Sequence, residues 1–245
     1  MDRDAFLLAI NKISRDERFK HGVGTLSEKS LHACLKLYYC PNIDMHEVPI
    51  ENYIADIYNG DEIIEIQTAN MGKLKDKLEV FLKDYRVIVV HPIIRKNVLI
   101  TVSKDTGEIL AQRKSPITGS IYDGLIDLYP LQKYLKNENL EIRFPIIDAK
   151  EYRIKDARIN KRGRKANVKG DRIPTDIIDE VIIERFEDYK MFIPGELSKF
   201  DSKEYANSLK ISRSYATYLL NFFYKTGIVE RVGKRGNAYL YEVCD

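Results

Sequence analysis

The sequence predicts an α/β protein with a mixed β-sheet flanked by helices. Helical and strand patterns alternate along the first part of the chain, three short β-rich runs follow one another closely, and an Asn-Gly pair marks a tight hairpin. Alternation of this kind is typical of helices that pack on a sheet. A length of 245 residues allows one or two domains.

The elements of the first half follow from spacing and turn residues. A helix is predicted over Leu26–Tyr39, with Ser27 as its N-cap. Strands follow at Met45–Ile50, Tyr53–Asn59 and Glu62–Thr68, and Gly60 after Asn59 supplies the positive φ of a tight turn. Next come a helix in KLKDKLEVFLKDY, a buried strand at Val87–Ile93, a hairpin turning near Asp105–Gly107 and a helix at Ile121–Lys136.

A strongly basic stretch runs from Arg153 to Arg172, with nine Lys or Arg residues against two Asp. It holds few large apolar residues after Ile159, so it is predicted to be a mobile linker between domains at 1–152 and 173–245. A solubilising connector is the simpler interpretation. The alternative is a segment that contacts phosphates through Arg162, Arg164 and Lys165.

Composition limits the class of protein that the chain can be. The net charge is only +3, the hydrophobic fraction is 44%, and no apolar run is long enough to span a bilayer. The first residues include acids and do not resemble a secretory signal. Three cysteines without a CxxC pair argue against a zinc site or a disulfide framework, and they favour a cytoplasmic location.

Acidic side chains stand in two of the predicted apolar strands. Asp56 and Glu65 would lie side by side in the hairpin, and Gln67 would share a face with Glu65. The simpler interpretation is the polar face of a half-solvated hairpin. However, the strands are nearly continuous apolar runs without Lys or Arg, so the acids need a partner. Two carboxylates held together indicate a site for Mg²⁺ or Mn²⁺.

The chain resembles the PD-(D/E)xK nuclease superfamily over roughly Thr25 to Ile93. The resemblance lies in the order of elements: a helix, a strand, a strand with Asp56, a turn, a strand with Glu65 and Gln67, a helix and a strand. The resemblance implies a restriction-endonuclease-like fold in which Asp56 and Glu65 bind Mg²⁺ (or Mn²⁺). It also implies that Glu28 completes the metal site and that Gln67 takes the position usually held by Lys. Gln has no positive charge, although its amide can still orient a water molecule.

Further candidates surround this motif. Glu28, His32 and Lys36 share one helix face, so Lys36 could replace the missing charge and His32 could contact a phosphate or the water. The alternative is an exposed, salt-bridged stripe. Glu47 is a second acid that the site could recruit. Lys73, Lys75 and Lys77 would steer a phosphodiester or merely solvate their helix.

The last part of the chain resembles a small winged helix-turn-helix domain. A helix is predicted over Thr175–Phe192, followed by a short helix capped by Ser202, a second helix capped by Ser212 and ending at Gly227, and two strands with a basic tip. Expected nucleic-acid contacts are Arg213, Ser214, Tyr215, Lys234 and Arg235. Winged helices also bind proteins, which is the alternative.

These patterns together predict a metal-dependent nuclease that hydrolyses DNA and is targeted by its winged-helix domain. Cutting both strands requires two sites, so a homodimer is an expected assembly. The rival interpretation is a non-enzymatic DNA-binding regulator with an inactive nuclease-like domain, and the Gln67 substitution supports it. RNA processing also stays open.

Overall fold

The structure, a computed structural model, describes residues 1–15, 30–104, 106–159 and 165–244. The α-helices in these ranges are α1 (Arg3–Arg15), α2 (Ser30–Tyr39), α3 (Lys75–Phe81), α4 (Ile121–Asp127), α5 (Ser202–Leu209) and α6 (Arg213–Thr226). The strands are β1 (His46–Ile50), β2 (Tyr53–Tyr58), β3 (Glu62–Ile66), β4 (Arg86–Val90), β5 (Ile93–Ser103), β6 (Ile109–Lys114), β7 (Leu140–Ile159), β8 (Lys165–Ile183), β9 (Lys199–Phe200), β10 (Val229–Arg235) and β11 (Ala238–Val243). None of the helices in these ranges is both long and apolar enough to cross a bilayer.

The first eight strands form one mixed sheet in which β7 is the central strand. Along one edge of β7, β4 and then β5 pair with it in parallel, while β8 pairs antiparallel along the other edge. The antiparallel meander β1-β2-β3 joins the sheet where β3 pairs in parallel with β4. The remaining strand, β6, pairs antiparallel with β5. A separate small sheet contains β10, β11 and β9.

Helices cover both faces of the large sheet. In β4, Val87 and Val89 belong to one buried cluster and Ile88 with Val90 to the other, because successive side chains point to opposite faces. The helices α1 and α2 pack on the second face. On the first face lie α3, α4 and the C-terminal helices, and Leu219 of α6 is part of the same core as Val87. One hydrophobic core therefore continues from the sheet into the C-terminal segment.

The meander lies where the sequence predicted it, to within one or two residues at each strand end. Gly60, in the turn between β2 and β3, has a φ of 102°, which is the conformation that the Asn-Gly pair supplies. The helix predicted at Ile121–Lys136 is shorter, because α4 ends at Asp127 and Pro130 lies in a 3-10 turn instead.

The structure differs from the prediction in the segment predicted as a linker. Residues 153–159 and 165–172 lie in β7 and β8, which form a long antiparallel hairpin. The backbone bonds of a hairpin do not depend on side-chain charge, and two of the basic residues are neutralised locally. Arg153 and Arg172 donate to opposite oxygens of Glu151, at 2.8 and 2.9 Å. The division into domains at 152 and 173 stays a prediction, since nothing else in the structure tests it.

The helix predicted over Thr175–Phe192 is wrong. Strand β8 continues to Ile183, and a 3-10 helix follows at Phe186–Phe192. The segment is rich in β-branched residues, which favour strands. Its burial also alternates, with Ile177 and Ile183 buried and Ile182 exposed. At the next helix, the N-cap of α5 is Asp201, whose side chain accepts from two backbone N–H groups, and not Ser202.

Gly124 allows α4 to lie close against the sheet. A methyl group added there would meet Ile93 Cδ1 and the Phe144 ring at 2.7 Å, and Phe144 is fully buried. Helix propensity favours alanine over glycine by about 1 kcal/mol. The steric conflict works against that gain because the core around α4 is already filled.

We expect Gly124→Ala to lower the free energy of unfolding by about 1–3 kcal/mol, since overpacking costs more than the propensity gain. Urea denaturation measures the effect. Gly195→Ala is the matched control, because no atom of the described residues lies within 4 Å of a methyl group built there. An unchanged or raised stability of Gly124→Ala would contradict the close approach of α4.

Candidate functional site

The two acids of the meander meet where β2 and β3 separate. Backbone pairing joins Ile57 to Ile64 and Tyr58 to Ile63, so the same register places Asp56 opposite Glu65. At this point the carboxylates accept hydrogen bonds from backbone N–H groups that would otherwise bond to a carbonyl oxygen of the opposite strand. The backbone N–H of Ile66 donates to Asp56 Oδ2 at 2.8 Å, and the backbone N–H of Asp56 donates to Glu65 Oε1 at 3.3 Å. Each carboxylate is thus held by the opposite strand.

Two basic side chains reach these acids from the helices on either face of the sheet. From α2, His32 Nε2 lies 3.2 Å from Asp56 Oδ2. From α3, Lys77 Nζ donates to both oxygens of Glu65, at 2.9 and 2.8 Å, and to the carbonyl oxygen of Ile54 at 2.6 Å. The result is a His–Asp–Glu–Lys cluster that spans the thickness of the sheet.

Burial separates the pKa values of the two acids. Glu65 is almost completely buried; this raises its pKa to about 7, with a further rise from the charge of Asp56 and a partial offset by Lys77. Burial also acts to raise the pKa of Asp56, but the hydrogen bond and charge of His32 outweigh it, aided by the N–H of Ile66, and the net shift is downward. The pair therefore favours one fixed negative charge on Asp56 and a Glu65 that ionises near neutral pH.

Several predicted site residues make other contacts. Lys36 Nζ donates to Glu47 Oε1 at 3.0 Å, so these two candidates bind each other. The amide nitrogen of Gln67 donates to the carbonyl oxygen of Asn70 at 3.1 Å and to that of Ala69. Glu28, the predicted helix acid, lies outside the described residues.

The donor set of Asp56 and Glu65 suits a hard divalent cation. Carboxylate oxygens are the ligands that Mg²⁺ and Mn²⁺ prefer. The hydrogen bonds of the Asp56 side chain to described residues use Oδ2, whereas both oxygens of Glu65 already accept from Lys77. Within the described ranges, no group of three or more His, Cys, Asp or Glu side chains could hold a metal ion.

The sequence grouped Lys77 with Lys73 and Lys75 and did not identify it as the partner of Glu65. The signal was present in the helix spacing, because Lys77 lies three residues after Leu74 and four before Phe81, which are both buried. Lys73 and Lys75 are exposed, whereas Lys77 is partly buried. A cation among apolar positions on the sheet-facing side of a helix indicates a buried acidic partner.

A second candidate surface lies at the N-terminus of α6. The Ser212 hydroxyl caps the helix by accepting from the backbone N–H of Tyr215, and Gly227 ends it with a φ of 84°. A groove of about 400 Å³ runs between this end of the helix and the β10–β11 hairpin. Its polar lining comprises Ser202, Arg213, Ser214, Thr217, Asn237 and Tyr239. Lys234, on β10, lies 5.0 Å from the centre of the Tyr239 ring.

Two residues expected to contact nucleic acid are engaged inside the chain. The hydroxyl of Tyr215 donates to Asp123 Oδ1 on α4 at 2.5 Å. Arg235 donates to Glu204 at 2.8 Å, so an acid already balances its charge. Of the basic hairpin candidates, Arg162 and Arg164 lie outside the described residues and Lys165 is the first residue of β8.

Helix α4 connects the two candidate surfaces. Asp127 Oδ2 lies 3.1 Å from Nε2 of the buried His91, and Nδ1 of the same ring lies 2.6 Å from the carbonyl oxygen of Gln67. One turn earlier, Asp123 accepts from Tyr215 of α6. The end of β3 and the start of α6 are therefore linked through one face of one helix.

Comparison with known proteins places this α/β chain in a family. It belongs to the family described as a domain of unknown function, DUF8091, whose model matches residues 29–184. The match ends one residue after β8 and includes the His–Asp–Glu–Lys cluster. An uncharacterised protein of Treponema pallidum (strain Nichols) is 26% identical over 222 residues, which cover 89% of this chain and 86% of the relative. No solved structure matches the chain.

The raised pKa of Glu65 makes stability depend on pH. Its folded-state pKa of about 7 exceeds the ordinary value of 4.5, so the folded state holds a proton that the unfolded state has lost. The free energy of unfolding therefore falls as pH rises from about 4.5 to about 7, and the loss is complete above that window.

We expect Glu65→Gln to remove this dependence. We compare the free energy of unfolding of the variant with that of the native chain, in the presence of a chelator. The variant minus native difference should increase by about 2 kcal/mol from about pH 5 to about pH 8, because only the native chain loses stability over this range. Urea denaturation at the two pH values measures the difference. If the difference in free energy of unfolding between variant and native chain is the same at both pH values, Glu65 ionises normally in the folded chain.

Proposed function

We propose that the chain is a metal-dependent nuclease that hydrolyses DNA phosphodiester bonds and holds its substrate with the C-terminal segment. What supports the chemistry most is the pair of acids between β2 and β3. Asp56 and Glu65 hydrogen-bond to each other's strands in a separated hairpin. Burying two acids side by side is unfavourable unless a positive charge compensates them.

Each residue of the cluster has a role in this proposal. Asp56 and Glu65 would hold Mg²⁺ or Mn²⁺. The cation supplies Lewis-acid stabilisation of the charge on the scissile phosphate. Lys77 opposes the rise in the pKa of Glu65 and brings a fixed positive charge to the site. His32, which is partly exposed beside Asp56, orients that carboxylate and can contact a phosphate or a water.

The strand order also supports the proposal. The antiparallel meander β1-β2-β3, the crossover through α3 and the parallel pairing of β3 with β4 are the arrangement that the PD-(D/E)xK resemblance implies. The water-orienting role of Gln67 and the ligand role of Glu28 stay predictions.

The C-terminal elements support a DNA-binding role. Two helices joined by a short turn precede a two-stranded hairpin, which is the order of a winged helix-turn-helix. In the groove between α6 and the hairpin, Arg213 and Ser214 offer side chains for phosphate and base contacts. Lys234 lies on the hairpin that would be the wing.

A second function, a DNA-binding regulator without catalysis, is favoured by one observation. His32 and Lys77 already partner the two acids within the chain, so the cluster can be stable without a bound ion. In that case the acids would be structural, and only the C-terminal surface would act on DNA.

The decisive experiment is cleavage of plasmid, linear and single-stranded DNA with Mg²⁺ or Mn²⁺ and with chelator. We expect Asp56→Asn and Glu65→Gln to reduce metal-dependent cleavage at least about a hundredfold, because each removes a ligand charge where phosphate charge develops. Lys77→Met should also reduce it. Lys83→Met, an exposed lysine two residues after the end of the same helix, is the matched control and should leave the rate unchanged.

Two outcomes would count against the nuclease. Equal cleavage by the native chain and both acid variants would mean that the activity lies elsewhere. No cleavage of any DNA with either metal, together with DNA binding that the acid variants retain, would favour the regulator.

DNA binding has its own test in the full chain. We expect Arg213→Ala and Lys234→Ala each to weaken binding several-fold and to reduce the dependence of log K on log salt by about one, as the loss of one phosphate contact does. Lys12→Ala, an exposed lysine on α1, is the charge-matched control. If all three variants titrate alike in fluorescence anisotropy at several salt concentrations, the C-terminal surface does not contact DNA.

A further inference from the structure

Strand β6 forms an outer edge of the large sheet and is exposed along its whole length. It pairs with β5 on one side, and no strand of the described ranges pairs with its other side. Large apolar side chains nevertheless lie on or near it, since Ile109 is 61%, Leu110 47% and Ile117 76% exposed. An open strand edge with exposed apolar side chains is a template for pairing with another strand.

The hydrogen-bonding pattern identifies the backbone groups on the open side. The N–H of Ser115 donates to the carbonyl oxygen of Asn97 on the β5 side at 2.7 Å. Antiparallel partners alternate between bonded and non-bonded pairs. Arg113 and Ala111 therefore bond to β5, whereas the N–H and C=O groups of Gln112 and Lys114 point away from it.

We propose that β6 is a self-association edge that pairs antiparallel with β6 of a second copy of this chain, about a two-fold axis near Ala111. Charge complementarity argues for this occupant. Glu108 precedes the strand, and Arg113 with Lys114 ends it. Antiparallel pairing brings the acidic end of each strand to the basic end of the other, while the exposed Ile109 and Leu110 are covered.

This assignment goes beyond the proposed function and does not rest on it. Two-fold pairing of β6 would join the two sheets into one continuous sheet. Strand β6 lies at the opposite end of the sheet path from β2 and β3, so the pairing uses neither of the strands that carry the proposed metal site. Its tests are made with protein alone.

Sedimentation equilibrium of the full chain over a concentration series should show a monomer–dimer equilibrium. Gln112→Pro removes one outward N–H while leaving the bonds to β5 intact, so we expect it to raise the dimer dissociation constant at least about tenfold. Gln112→Ala keeps the N–H and is the matched control. Circular dichroism and the thermal midpoint verify that each variant is folded.

A charge exchange tests the orientation. Glu108→Lys and Lys114→Glu should each weaken the dimer, because like charges then face each other across the two-fold axis, and the double variant should restore it. Within one strand these residues lie at opposite ends, so rescue reports contact between copies. A chain that is monomeric at every concentration overturns the proposal. So does a dimer that none of these changes affects, since it would use another face.

Discussion

Two buried carboxylates between β2 and β3 impose the constraint on which the candidate site depends. Where the strands separate, the backbone N–H groups of Asp56 and Ile66 lose their ladder partners, and the side chains of Glu65 and Asp56 accept from them instead. A buried donor left without an acceptor would be costly, so the acids are needed for the fold of the hairpin. Burial then requires basic partners, which His32 and Lys77 supply from opposite faces of the sheet.

Helix α4 sets how the C-terminal segment meets the sheet. It is only two turns long, yet its Asp127 reaches His91 at the end of β4 and its Asp123 reaches Tyr215 of α6. Gly124 lies between these acids and lets the helix approach Phe144 closely. The same core continues from the sheet into α6. A shift of α4 would therefore move residues at both the acidic cluster and the N-terminus of α6. The family match to residues 29–184 includes α4 but not α6.

Much of the fold follows from local patterns, and the largest error lies in the segment predicted to be a linker. The meander and its Asn-Gly turn were predictable because alternation and a positive φ are local properties. The β7–β8 hairpin was not, because the nine basic residues between Arg153 and Arg172 suggested a solvated linker. Pairing of β7 with β8 and the ion pairs of Glu151 with Arg153 and Arg172 stabilise that charge, and the further pairing of β7 with β5 joins strands distant in sequence.

The sequence by itself determined the register that faces Asp56 with Glu65 and the limits of α6 at Ser212 and Gly227, since turns and caps act over a few residues. Only the tertiary structure decided which cation compensates Glu65. Lys36 looked suitable from its spacing but binds Glu47, whereas Lys77 reaches Glu65 because α3 crosses over the sheet beside it. A side chain's partner across the core depends on how helices pack on the sheet, and helical periodicity gives a face but not the element that it meets.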